Sequence, residues 1–463
     1  MTRDSPDGRE RLTVAALGAS GTLTSLQFTL MVPALPDVPG ALEISANDAA
    51  WLITITLLTG TVGTPILTRM ADMYGRRRLL LLCLLLLGGG SIVAAVGMTF
   101  ATALIGRGLQ GVATAIVPIG ISIMRDALSG NRATGAVALM SGTVGVGSAL
   151  GLPLSGILVS AGGLPAIFWF SAVASGAFAL AVAIGVPDSA GNPRGRFDLV
   201  GTALLTIALT AMLLTISKGL VWGWTSPTIL TLATVAVVVF AIWVPQQLRN
   251  ANPLIDLRTG MRRQVLQTNI ATFFTTFGMF ANHLLTMHEA RAPLATGAGL
   301  GLPALLGGLI MLPSALAMVL MTPLAARMLR RHGGRVTLAT GATIMAGAFL
   351  FRLLFHDGLL VVLLGALAVG IGTGLAFAAA PMLISDAVPR SELAAANGVN
   401  SLVRALAGAV TSALFALLVA SLPWAGDPEF ISSQGIAVAF GAAALSTGTG
   451  AVIAFCLPKR AAR

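Results

Sequence analysis

The sequence predicts an all-α integral membrane protein with fourteen transmembrane helices, laid out as two six-helix bundles plus two extra linking helices. Three observations predict it. The chain of 463 residues is 56% hydrophobic and only 10% charged, with a mean hydropathy of +0.89, whereas soluble domains average about 25% charged. Charged and turn residues interrupt it at intervals that leave apolar runs of about 20 residues, enough to cross a bilayer. The turn after the second run also returns downstream: Thr64, Pro65, Arg69, Met70 and Gly75 align with Thr322, Pro323, Arg327, Met328 and Gly333 at a constant offset of 258. That is an internal repeat.

In order, the runs cover residues 12–31, 51–70, 79–97, 101–124, 134–160 and 164–186, then 199–220 and 225–244, then 265–286, 302–328, 336–355, 359–384, 393–420 and 435–457. The first follows a charged N-terminal stretch and is read as a retained span, because no soluble domain follows for a cleaved leader to deliver. The second and third flank the basic turn 68–78. Gly106 and Gly111 in the fourth find counterparts in Gly365 and Gly370 in the twelfth, so spans one to six repeat as nine to fourteen and the seventh and eighth are an insertion. The domains are therefore 1–190, 191–260 and 261–463.

Charge placement orients the chain. With the N-terminus inside, Arg69, Arg76, Arg77, Arg78, Arg125, Arg132, Arg327, Arg330, Arg331 and Arg335 fall on the cytoplasmic side, and Lys218, Arg291 and Arg352 on the other. The positive-inside rule then puts both termini in the cytoplasm. The same placement accounts for the net charge of +11, so nucleic acid is not an expected partner. Cys83 and Cys456 lie in apolar runs and read as small core residues, with no disulfide framework, metal or cofactor indicated. The four histidines form no H-E-x-x-H pair, and neither G-x-S-x-G nor a nucleotide loop occurs, which argues against an enzyme.

The turn Thr68-Arg69-Met70-Ala71-Asp72-Met73-Tyr74-Gly75-Arg76-Arg77-Arg78 resembles the loop between the second and third helices of the major facilitator superfamily, Gly-x-Leu-Ala-Asp-Arg-x-Gly-Arg-Arg. Ala71, Asp72, Gly75, Arg76 and Arg77 match; Thr68 stands where the family prefers glycine, and Met70 and Met73 also depart. The layout is similar to the fourteen-span drug:proton antiporter branch, and the resemblance covers essentially the whole chain. It implies a major facilitator fold with a substrate site near the midplane between the halves. It also implies a gate latch in which Asp72, Gly75, Arg76 and Arg77 hold one packing of the halves through charge-assisted hydrogen bonds. Orientation alone would account for the same arginines. In the second copy Arg330 replaces Asp72, so the latch is one-sided.

Arg107-Gly108-Leu109-Gln110-Gly111 resembles the family's Arg-x-x-Gln-Gly signature, which implies a proton-coupling role for Arg107 and Gln110, with Asp126 counted in the same set. A charge at that depth faces a cavity or a partner, and an arginine bonded to backbone carbonyls is the alternative. Gly147, Gly151, Pro153 and Gly156 resemble the exporter signature Gly-x-x-x-Gly-Pro-x-x-Gly-Gly, with proline one place late and Ser155 in place of a glycine. Glycines four apart let helices touch backbone to backbone, and ordinary small-residue packing has the same look.

The cavity set is Gln27, Thr272, Phe274, Asn400 and Arg404. Gln27 stands where similar exporters often carry aspartate. Thr268, Thr272, Thr275 and Asn282 make a polar stripe beside Phe273, Phe274 and Phe277, a wall suited to a broad apolar substrate or to interhelical contact. Asn397, Asn400, Ser401 and Arg404 follow i, i+3, i+4, i+7 spacing. Without a carboxylate deep in a span, Arg107 and Arg404 favour neutral or anionic amphiphiles, unless a span-end carboxylate such as Asp126, Glu289 or Asp386 serves as counter-ion. His283, His288 and Glu289 read either as outer proton acceptors or as loop-end polar groups. The expected function is proton-coupled export of amphipathic small molecules, such as drugs or antibiotics, across a bacterial inner membrane. The partners are the substrate, protons and the lipid bilayer, and the chain is expected to act as a monomer. A nutrient symporter of the same fold is the alternative.

Overall fold

The computed structural model describes residues 8–128, 130–188, 197–297, 299–302, 306, 309–355, 358–389 and 392–458. Nearly all of them are helical. Ten helical stretches among them are long and apolar enough to cross a membrane. Four of the fourteen predicted spans stand outside that set: the first and ninth form helices, α1 (Gly8–Ala34) and α9 (Arg263–Arg291), each rich in Ser, Thr, Asn or Gln, while the fifth and tenth cross residues or side chains outside the described set.

The longer helices are, in order, α1, α2 (Ala46–Tyr74), α3 (Arg76–Gly97), α4 (Phe100–Gly111), α5 (Ile116–Ala127), α6 (Gly130–Gly185), α7 (Leu199–Trp222), α8 (Pro227–Arg249), α9, α10 (Leu312–Leu320), α11 (Thr322–Leu354), α12 (Leu359–Ala387), α13 (Leu393–Ser421) and α14 (Ser433–Phe455), with single short helices at Val38–Leu42 and Leu257–Gly260. Starts carry local signals: Ser45 accepts from Asp48 N–H, and Thr99 forms a capping box with Thr102. A single 3₁₀ turn, Val112–Ala115, joins α4 to α5. Helix α6 is interrupted at Gly162 and Gly163, the latter at φ +66°. Helix α11 is interrupted at Gly333, φ +79°. Gly75, the repeat partner of Gly333, separates α2 from α3 at φ +108°. Both copies of the turn thus use glycine where an L side chain would be strained.

Two compact units result. The first holds Met1–Thr210, Val239–Gly260 and Val388–Leu402; the second holds Ala211–Val238, Met261–Ala387 and Val403–Arg463. In the first, Leu17, Leu84, Ile119, Val137 and their neighbours form a continuous buried core. Here the ends of α7 and α8 are tied by Asp198. Its carboxylate accepts from Gly201 N–H at 2.8 Å and from the Gln247 and Gln246 amides at 2.6 and 3.1 Å, while Trp243 donates to Gly201 O. Burial alone would push the Asp198 carboxyl up; the bonds from Gly201, Gln247, Gln246 and Asn250 outweigh it and hold it below its ordinary value. In the second unit α9, α11, α12 and α14 pack together. One departure from an all-α chain is a hairpin, β1 (Pro423–Trp424) against β2 (Asp427–Ile431), antiparallel with Pro423 opposite Ile431. It turns at Ala425-Gly426, a loop too short to be read as strands from the sequence.

Candidate functional site

The basic turn carries a closed ion cluster. Asp72, in the last turn of α2, accepts at Oδ1 from Arg76 Nε (3.0 Å) and Nη2 (2.7 Å), and Arg76 Nη1 also bonds Asp126 at the end of α5. Its Oδ2 accepts from Ala395 N–H at 2.9 Å. Ala395 is the third residue of α13, so this carboxylate takes up one of the backbone N–H groups that a helix start leaves without an intrahelical partner, and its charge meets the positive end of the helix. Arg77 bonds Ala183 O in α6 and lies 3.9 Å from Asp188. One turn before Asp72, the buried Thr68 presses on Gly398 of α13, where a Cβ would collide with the Thr68 side chain. The residue that departs from the family pattern is thus matched by a glycine on the facing helix. Asp126, grouped by role with Arg107 and Gln110, is bonded to Arg76 in this cluster.

Arg107, on α4, is buried. Its Nε donates to Leu52 O at 3.2 Å and its Nη1 to Gln27 O at 3.1 Å and Gln110 Oε1 at 2.8 Å; Gln110 Nε2 donates to Ser91 Oγ at 2.8 Å. The structure therefore brings Gln27, Arg107 and Gln110 into one cluster. The Gln27 side-chain amide nitrogen is buried with no hydrogen-bond partner among the described residues, an orphaned donor of the kind that costs free energy in a native interior.

The signature glycines of α6 make a seam with α1. A Cβ on Gly147 would strike Ser25, and one on Gly151 would strike Thr29, whose Oγ1 donates to Gly147 O at 3.1 Å. Ser155 is buried and donates to Leu30 O at 2.6 Å. Gly156 is exposed with open space beside it, so the seam runs through Ser155 rather than through Gly156. The side chain of Pro153 lies outside the described residues.

In the second unit Thr268, Thr272 and Thr275 are buried, and each hydroxyl donates to a carbonyl of its own helix. Phe274 meets Phe273 edge-on at 5.6 Å and accepts at its carbonyl from Ser446 of α14. The Arg404 guanidinium lies over the Phe377 ring at 5.2 Å. Asn400, a turn earlier on the same helix, is buried and falls in the first unit. His288 sits against Phe415 and Phe430 and accepts at Nε2 from Ile431 N–H at 3.0 Å, which pins the hairpin.

A residue that the sequence places at the outer end of the run 336–355 is the centre of another cluster. Arg352, 1% exposed, donates from Nη1 to Thr286 Oγ1 at 2.8 Å and Asn282 Oδ1 at 3.1 Å, pairs through Nη2 with Glu289, itself 1% exposed, and lies over the Phe440 ring at 4.6 Å. It fits because Gly365 has no side chain: a Cβ there would collide with the Arg352 stem. Gly106 in the first copy likewise accommodates Ala94. Since 94 and 352 stand in the same repeat register, the offset itself was the overlooked signal.

Comparison with known proteins agrees with this geometry. The family model described as Major Facilitator Superfamily matches residues 17–412. The Multidrug resistance protein Stp of Mycobacterium tuberculosis (strain CDC 1551 / Oshkosh) is 26% identical over 417 residues, 89% of this chain and 76% of that protein. The Tetracenomycin C resistance and export protein of Streptomyces glaucescens is 24% identical over 426 residues, 89% of this chain and 77% of that protein. Among solved structures, the human organic anion transporter MFSD10 (TETRAN) superposes with a TM-score of 0.69 over 97% of this chain and 100% of its own, at 18% identity. Helices, repeat and family match together lead to one statement: this chain is a membrane transporter that belongs to the Major Facilitator Superfamily.

Proposed function

We propose that the chain is a fourteen-span, proton-coupled antiporter that exports amphipathic small molecules, drugs or antibiotics among them, across a bacterial inner membrane, acting as a monomer with both termini in the cytoplasm. Residues 1–190 and 261–463 form its two bundles and 191–260 its linking helices. The observation that carries export is the α1–α6 seam. Gly147 and Gly151, the residues that resemble the exporter signature, are those where no side chain fits, so the two helices meet backbone to backbone and can shear without repacking large groups. Relatives named for multidrug resistance and for export of tetracenomycin C support the same direction.

In this reading the Asp72–Arg76–Asp126 cluster with Gly75 and Arg77 is a latch on the start of α13, made and broken as the transporter changes state. Arg107, held by Gln110, supplies a fixed positive charge. Beside it Gln27 offers an amide donor to a substrate. Asn400 in the first unit, and Thr272, Phe274 and Arg404 in the second, carry side chains suited to neutral or anionic amphiphiles.

The test is proton movement in proteoliposomes driven by ethidium as the cation, chloramphenicol as the neutral probe and taurocholate as the anion, for wild type, Arg107→Ala and Arg107→Lys. Flux with the neutral or anionic probe, lost in Arg107→Ala and kept in part in Arg107→Lys, is expected. Flux with ethidium alone overturns the charge argument, and flux with no probe overturns antiport.

A further inference from the structure

Proton coupling needs a group that gains and loses a proton, and Arg107 is not one. A guanidinium stays charged in proteins, and its acceptors, Leu52 O, Gln27 O and Gln110 Oε1, are neutral. Among the described residues the most buried carboxylate is Glu289, at 1% exposure against 7% for Asp72 and 8% for Asp198. Asp126 is bonded to Arg76 at a helix end, and Asp386 is exposed.

We propose that Glu289 is the proton-carrying carboxylate of this transporter and Arg352 the charge that answers it, an inference that rests on the proton-coupled reading above. The cluster is built to hold two charge states. When Glu289 is ionised, the pair is neutral overall, which is how two charges tolerate an interior. When a proton from the aqueous phase bathing that end adds to Glu289, one O–H bond forms, the ion pair is lost, and Arg352 keeps its charge. The guanidinium then still has Asn282 Oδ1, Thr286 Oγ1 and the face of Phe440, which reduce the cost of its buried charge.

The charged and titratable groups on the elements packed around the pair are these. On its own helix the neighbouring titratable groups are His288, occupied at Nε2 by Ile431 N–H, Arg291 at the exposed helix end, and His283. From α11, Arg352 bonds Glu289, while Arg327, Arg330, Arg331, His332 and Arg335 lie around Gly333, about 28 Å further along at 1.5 Å per residue. Helix α14 carries no titratable side chain, and Asp386 stands at the opposite end of the 29-residue α12 from Leu359. The chain from Ala292 to Ala326, which folds back with Leu300 N–H on Glu289 O, has none either. The hairpin contributes Asp427, and the side chain of Glu429 lies outside the described residues.

The repeat sharpens the assignment. Position 94 is alanine where 352 is arginine, and position 107 is arginine where 366 is alanine. Arg107, buried on α4, has neutral acceptors, whereas Arg352, buried on α11, is paired with the carboxylate Glu289.

Two readouts test the proposal in the purified full-length protein. The first is proton uptake by detergent-solubilised protein after an acid jump, measured with a pH dye for wild type, Glu289→Gln and Glu289→Asp. Wild type should take up about one proton per chain more than Glu289→Gln, and Glu289→Asp should keep that proton at a displaced pH. Equal uptake by wild type and Glu289→Gln overturns the proposal. The second is accumulation of taurocholate or chloramphenicol in proteoliposomes under a pH gradient. Glu289→Gln should lose gradient-driven accumulation while still equilibrating the probe down its own gradient; gradient-driven accumulation retained in Glu289→Gln overturns the proposal. If wild type shows the extra proton but transports no probe with protons, the antiport reading falls and Glu289 stands as the titrating site. Should Glu289→Gln fail to fold, Glu289→Asp with Arg352→Lys decides: a displaced pH dependence in both supports the pair, and an unmoved one overturns it.

Discussion

Asp72 shows how much one side chain can be asked to do. Its two oxygens serve different masters, Oδ1 the Arg76 guanidinium and Oδ2 the Ala395 N–H. Asp72→Ala should lower stability by about 3 kcal/mol, near the low end for breaking a buried pair, because Asp126 still holds Arg76. Asp72→Asn, which keeps an acceptor for Ala395, should lose less. Thermal melts of the two variants in detergent check the order, and an Asn variant as damaged as the Ala variant would remove the helix-start contact from the account. Residues of this turn were legible in the sequence because the motif is contiguous. The Arg352 cluster was not: its partner Glu289 lies 63 positions away, and a charge at the edge of an apolar run reads as a loop charge until the chain is folded. Gln27 is intermediate. Its polarity inside a span was visible, but its company with Arg107 came from 80 residues of separation.

Among the helices, the α1–α6 seam makes a comparison the motif alone could not. Gly151 and Gly156 both belong to the resembling signature, yet one is pressed on Thr29 and the other faces open space. Gly151→Val should therefore cost about 1–3 kcal/mol by overpacking and impair export, while Gly156→Val should stay within about 0.5 kcal/mol of wild type. Melting temperature and export of the same probe measure both, and equal effects would show that the seam runs elsewhere. Element existence was readable from run length and glycine spacing, both local. Breaks were less so: α6 and α11 turn at Gly163 and Gly333, two of the chain's 54 glycines, and composition does not say which of them the backbone uses. The β1–β2 hairpin is shorter than any periodicity can register.

At the scale of the whole molecule, the repeat survives as backbone contacts. Gly111 closes on Thr56 in the first copy, and Gly370 closes on Ser314 in the second; residues 56 and 314 stand 258 apart, as the turns do. Small residues at helix crossings define the architecture, while the charges differ between copies, with Arg330 standing where the first copy has Asp72. The hairpin has a practical consequence for orientation. Ala425 at its tip is exposed, Cys83 is buried, and Cys456 is the exposed thiol. An Ala425→Cys substitution in a Cys456→Ser background therefore places a single reactive sulfur on one known loop. In intact cells it should react with a membrane-impermeant maleimide, and an engineered cysteine in the turn at Tyr74 should react only after the cells are opened; the reverse pattern would invert the topology. The short strand pair thus doubles as an address label, reporting from which compartment the transporter is being approached.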